Sequence, residues 1–186
     1  GRRAVGRDAH EPVGGPAILP DRFAIDNVYR FFDVLAKHER HGSLDDVASL
    51  EALLDTLREH LQGEFSADTV TIRLAGIPEA RARECAIDMF SPDDPQHVHF
   101  ESFYKTCRPQ CGRFKKEQLQ YLFVDQAEAI ESVALIPLGP NSAYGLLAIG
   151  SQEASRFHPG MGTLFLTHIA DVIVRCLPHL PREDAG

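Results

Sequence analysis

The sequence lacks any apolar run near the ~18–20 residues that a membrane-spanning helix needs. Arg2, Arg3 and Arg7 are followed by no apolar stretch, so the pattern of a secretory signal is missing too. Positive charge is in the minority: 19 Lys and Arg face 27 Asp and Glu, a net charge of −8. An acidic chain repels phosphate backbones, which excludes a general nucleic-acid partner unless a local basic face exists. Cysteine is sparse, with Cys85, Cys107, Cys111 and Cys176 making up the set. A chain of 186 residues builds an ordinary core without disulfide staples, so these read as reduced thiols and the expected compartment is the cytoplasm. The motifs G-x-S-x-G and H-E-x-x-H and the Gly-Lys-Ser/Thr ending of a phosphate loop are absent, as are internal repeats. Nothing in the pattern asks for a membrane or a cofactor.

What is present is an orderly series of elements. Residues 1–21 are rich in Gly, Pro and charge, and read as a flexible tail. The domain is expected over residues 22–180, with 181–186 as a C-terminal tail. Ile25, Val28, Phe32 and Leu35 recur at helical spacing, with Phe31 beside them. A second helix follows, capped by Ser49, with Leu50, Leu53, Leu54, Leu57 and Leu61 as one apolar stripe ending near Gly63. The period then changes to two. Val70, Ile72 and Leu74 alternate with Thr69, Thr71 and Arg73, the signature of a half-buried strand.

A short strand is expected around Cys85 to Phe90, and helices over Val98 to Thr106 and Lys115 to Phe123. Ser132 to Leu138 and Ala143 to Gly150 are apolar strands. The turn residues Gly139-Pro140-Asn141-Ser142 join them into an antiparallel hairpin. A final helix carries Met161, Leu164, Phe165, His168, Ile169, Val172, Ile173 and Cys176, and Pro178 and Pro181 stop it. This order predicts an α+β fold. Its antiparallel sheet has five or six strands, with the N- and C-terminal helices on one face and short helices on the other.

The last third resembles a GAF domain. The residues that carry the likeness are Ser132-Val-Ala-Leu-Ile-Pro-Leu138, Tyr144-Gly-Leu-Leu-Ala-Ile-Gly-Ser151, and Arg156-Phe157 ahead of a long helix. More narrowly, Cys111-Gly112-Arg113, Gln118, Leu122-Phe123 and the run from Arg156 to Thr163 resemble an uncharacterised bacterial GAF-like family of unknown function. The likeness spans roughly Asp26 to Leu177. It implies a GAF-like fold and a sensor-like role, with a ligand pocket between the sheet and the middle helices, and it supplies no catalytic residues.

Several groups are candidates for chemistry. Lys105, Arg108, Arg113, Lys115 and Lys116 form a basic cluster in an acidic protein, which suits an anionic small molecule or is a solvated face. Cys111-Gly112 precedes a predicted helix, whose N–H groups lower a thiol's pKa. The free methionine sulfoxide reductases, which share the GAF fold, carry a Cys-Gly at a similar place, but no cysteine lies between Phe114 and Ser132 where they have another. His97, His99, Cys107 and Cys111 have spacing within reach of zinc, though no turn glycine separates the thiols, so no metal site is expected. Gly160 and Gly162 read as turn residues, and His168 as a core or interface histidine.

The leading reading is therefore a small-molecule-binding or regulatory module. The tentative ligand contacts are Lys105, Arg108, Cys111, Arg113 and Lys115. The alternatives are a thiol redox enzyme using Cys111 and a purely structural dimerisation domain. The wide apolar faces of the terminal helices (Phe31, Phe32 and Leu35; Leu164, Ile169 and Ile173) suggest a homodimer, since large exposed apolar patches are uncommon on monomers.

Overall fold

The computed structural model describes residues 47–77, 79–84, 87–91 and 93–176. The expected helix at Ile25 to Leu35, both tails, Cys85, Pro178 and Pro181 lie outside the described residues. Helix α1 (Val47–Phe65) leads into β1 (Thr69–Leu74), then α2 (Glu79–Glu84) and β2 (Asp88–Met89). A 3-10 segment (Pro95–Phe100) runs into α3 (Glu101–Thr106), followed by β3 (Gln110–Gly112) and α4 (Lys116–Phe123). A second 3-10 segment (Val124–Ala129) precedes β4 (Ser132–Leu138), which a short turn joins to β5 (Gly145–Ser151), and α5 (Leu164–Cys176) follows.

The five strands make one sheet in the order β2-β1-β5-β4-β3. β4 and β5 sit near its centre, and every residue of both is buried. They pair antiparallel with Ile136 opposite Leu147, as the turn chemistry predicts. β1 pairs antiparallel with β5, and β3 with β4. The sheet departs from the antiparallel expectation at one edge, where β2 runs parallel to β1. The reason is the connection: α2 carries the chain back across the sheet end, and a crossover of this kind returns it in the same direction.

Strands apolar on both faces need cover on both faces. Ala134, Ile136 and Leu138 of β4, Leu147 and Ile149 of β5, and Ile72 and Leu74 of β1 join one cluster. Leu53, Leu54, Leu57 and Leu61 of α1 and Leu166, Ile169, Ala170 and Ile173 of α5 complete it. The alternate residues, Val133 and Leu135 of β4 and Leu146 and Ala148 of β5, point the other way. There they meet Phe90, Phe100, Phe103, Leu122 and Phe123 from the middle of the chain. α1 and α5 thus cover one face, joined there by Ala82 of the short helix α2, and the first 3-10 segment, α3 and α4 cover the other. The arrangement is α+β and consistent with a GAF-like fold.

Local readings shift at element ends. α1 is already formed at Val47, so Ser49 lies inside it and does not cap it. The helix expected from Val98 divides into the 3-10 segment and α3, because Pro95 sits at a helix start and the Asp94 carboxylate accepts from the Gln96 N–H at 2.9 Å. α5 begins at Leu164, leaving Met161 in the approach to it. Ile169 and Ile173 are buried within the chain, whereas Leu164 is 72% exposed.

The chain enters β5 in close contact with β1. Gly145 has φ +122, and a Cβ there would stand 1.9 Å from the Arg73 carbonyl oxygen of β1. Gly63 is the contrast, an α1 glycine whose added methyl would meet nothing within 4 Å. Gly145→Ala is expected to cost about 2 kcal/mol or more, and Gly63→Ala to stabilise by up to ~1 kcal/mol. Chemical denaturation of the two variants checks both signs.

Candidate functional site

The polar side of β1 is the starting point. Val70, Ile72 and Leu74 face the α1 and α5 layer, so Thr69, Thr71 and Arg73 face the short helices. Solvent does not reach freely there. Thr69 is buried, and the Arg73 side chain keeps only 12% of its exposure. A guanidinium this enclosed needs partners. Arg73 Nη2 donates to the Tyr121 carbonyl oxygen in α4 at 2.7 Å and lies 3.6 Å from Asp88 Oδ2. Its guanidinium carbon stands 4.1 Å from the centroid of the Tyr121 ring, a cation–π contact. One arginine thereby ties β1 to β2 and α4.

Aromatic side chains gather around this point. His97 stacks on Phe90 with centroids 5.0 Å apart and meets Tyr104 at 4.8 Å and Tyr121 at 6.2 Å. Phe100 lies 5.3 Å from Tyr121 and 6.5 Å from Tyr104. The elements dictate this: α3 sends Phe103 into the core, and Tyr104 beside it turns toward the 3-10 segment carrying His97. Burial pushes the Tyr104 phenol well above its ordinary value of 10.0, with Tyr121 and Asp94 adding to the rise and Arg73 opposing it. Burial also raises Tyr121, opposed by Arg73 and reinforced by Asp94. Both rings are therefore neutral hydrogen-bonding groups at physiological pH.

Two polar atoms of this cluster are buried without a hydrogen-bond partner among the described residues: Arg73 Nε and the Tyr104 hydroxyl. Buried polar groups are nearly always paired, and leaving one unpaired costs about 1–3 kcal/mol. Arg73, Phe90, His97, Tyr104 and Tyr121 thus form an aromatic cluster around a buried cation, between the sheet and the middle helices, with two polar atoms left unpaired.

The residues singled out from sequence are placed differently. Cys111 lies in the middle of β3, paired with Ala134, and packs with the α1 and α5 layer. It is not at a helix start, and burial pushes its thiol up to about 11. Arg113 is exposed and lies 3.6 Å from Glu131. It borders a groove of about 390 Å³ with Phe114, Lys116, Leu119, Glu128 and Ile130. Lys105 pairs with Glu101 at 2.6 Å, which lowers the Glu101 pKa. Arg108 is exposed, and so is Lys115, whose backbone N–H is held by Gln118 Oε1 at 2.8 Å. Arg113 and Lys116 share the groove, while Cys111 faces the opposite layer.

The His97, His99, Cys107 and Cys111 set does not converge. His97 is taken up by the aromatic cluster, and Cys107 Sγ donates to the Tyr104 carbonyl oxygen at 2.9 Å. Among the described residues, no group of three or more His, Cys, Asp and Glu is arranged to hold a metal ion. No helix of the described residues is long and apolar enough to cross a membrane.

From sequence, Arg73 reads as the polar side of a half-buried strand, and His97 only as a member of the zinc-spaced set. A signal was present: with helices expected on both faces of the sheet, an arginine on β1 had no open side.

Residues 21–182 match a family described as "Protein of unknown function, DUF484", and the chain belongs to that family. None of the curated proteins matches the chain.

With a pKa near 11, Cys111 has roughly one thiolate per thousand molecules at pH 8. Its alkylation by iodoacetamide is expected to be about a thousandfold slower at pH 8 than at full ionisation, and to rise tenfold per pH unit toward pH 11. Peptide mapping of labelled Cys111 in the folded protein reads this rate directly.

Proposed function

We propose that this member of a family of unknown function is a small-molecule-binding regulatory module, whose ligand seats against Arg73, Tyr104 and His97. The observation that carries the reading is a pair of polar atoms without partners, Arg73 Nε and the Tyr104 hydroxyl, buried in one aromatic cluster. Folding gains nothing from such groups, so their retention suits a site that a ligand completes. The position between the sheet and the middle helices is also where the GAF likeness implies a pocket. Arg73 holds α4 through the Tyr121 carbonyl, so a ligand that engages Arg73 acts on α4 as well. That link is what a regulatory module requires.

The thiol enzyme alternative asks for a thiolate at neutral pH. The burial of Cys111 and its place in a strand, away from any helix start, favour the binding reading over it.

Tyr104→Phe separates a ligand site from a merely awkward core. Removing an unpaired buried hydroxyl is expected to leave stability unchanged or raise it by up to ~1 kcal/mol. Native mass spectrometry of freshly purified protein is expected to show a retained small molecule on the wild type and less of it on the variant. Destabilisation of Tyr104→Phe by more than ~1 kcal/mol, with no retained molecule on either protein, would mean that the hydroxyl is a structural group.

A further inference from the structure

We infer that α4 and the 3-10 segment after it are a two-state element: one helix, held broken at Val124 by Arg73, that straightens when the hold is released. The inference concerns α4 itself and does not depend on what meets Arg73.

The sequence here encodes a single helix. Residues 116–129 contain neither Gly nor Pro, and most of them are the good helix formers Glu, Gln, Leu and Ala. Leu119, Leu122, Phe123, Ala127 and Ile130 make one apolar stripe at helical spacing, which runs past Val124 without a gap. No local signal asks for a stop there.

The chain stops there nonetheless. α4 ends at Phe123, and Val124 takes φ 44 and ψ −103. A β-branched residue is a genuine outlier at positive φ, because its side chain crowds its own backbone. Val124 is 51% exposed, so the packing of its side chain does not impose the conformation. The strain is imposed from elsewhere in the fold.

Arg73 is in position to impose it. Its Nη2 donates to the Tyr121 carbonyl oxygen at 2.7 Å. In a continuous α-helix that carbonyl accepts from the Asp125 N–H. The guanidinium thus takes an acceptor that the helix needs in order to continue, and its charge sits at the C-terminal end of α4, where the helix dipole favours a cation. Gln120 takes a second such acceptor, its Nε2 donating to the Val124 carbonyl oxygen at 3.2 Å.

The groove of about 390 Å³ depends on the break. Lys116, Leu119 and Gln120 of α4 line it together with Ala127 and Glu128 of the 3-10 segment. Its walls include both arms of the broken helix, and a straight helix from 116 to 129 has no such angle between arms. The hold of Arg73 on Tyr121 therefore decides whether the groove exists.

NMR of the full chain reads both forms, through the Cα resonances of residues 124–129 and the hydrogen exchange of the Asp125 amide. In the wild type, Val124 is expected to lack the helical shift. Arg73→Met removes the donors and keeps an apolar stem. It is expected to bring 124–129 to helical shifts and to slow the Asp125 amide about tenfold. Adding Val124→Gly to Arg73→Met is expected to restore the broken form, because glycine accepts a positive φ and disfavours a helix interior. An Arg73→Met protein with the wild-type shifts and wild-type Asp125 exchange would overturn the inference. If Arg73→Met does not fold, Val124→Gly and Val124→Ala in the otherwise unchanged chain decide. Val124→Gly is expected to raise the denaturation midpoint above that of the wild type, and Val124→Ala to move 124–129 toward helical shifts. The failure of either result overturns the two-state element.

Discussion

The pairing of β4 with β5 is the constraint on which the rest of the molecule depends. Both strands are apolar on both faces, and all their residues are buried. Such a ribbon cannot be covered from one side only. α1 and α5 supply one layer, and the short middle helices must supply the other. Each large side chain so enclosed contributes about 1.5–3 kcal/mol, so leaving either face open would forfeit much of the stability of a small domain.

That second layer has a cost, the enclosure of polar groups on β1. β1 lies beside β5 and carries a polar residue at every second position, which the middle helices enclose with the rest of the face. Arg73 is the largest of these. Its charge is met by Asp88, by the Tyr121 carbonyl and by the Tyr121 ring, and one of its donors is left over. Tyr104 shares the same enclosure and leaves its hydroxyl unpaired. The cluster thus follows from the fold: a polar strand face, an aromatic cover, and two enclosed polar atoms without partners.

Much of the fold could be read from sequence because its signals are periodic. The alternation through Val70, Ile72 and Leu74 and the hairpin about Pro140 stand where they were expected, as does the stripe through Leu53, Leu57 and Leu61. Short elements were harder to read. β3 has three residues and α2 has six, too few for a period to show. The Arg73 cluster was hard to read for a different reason. Cys111 and the basic residues are types that often carry chemistry, whereas Arg73 and Tyr104 read as ordinary polar residues until the fold encloses them. Arg73 and Tyr121 are 48 positions apart in the chain and meet only through the fold. No local pattern joins them.

The buried state of Arg73 is the most direct test of this account. The side-chain Nε–H of each arginine gives its own signal in a nitrogen-correlated NMR spectrum, and its exchange with water reports its enclosure. The account predicts that the Arg73 Nε–H exchanges slowly, shows contacts to the Tyr121 ring, and moves when a ligand occupies the site. An Arg73 signal exchanging as fast as that of exposed Arg113, without contact to Tyr121, would contradict it.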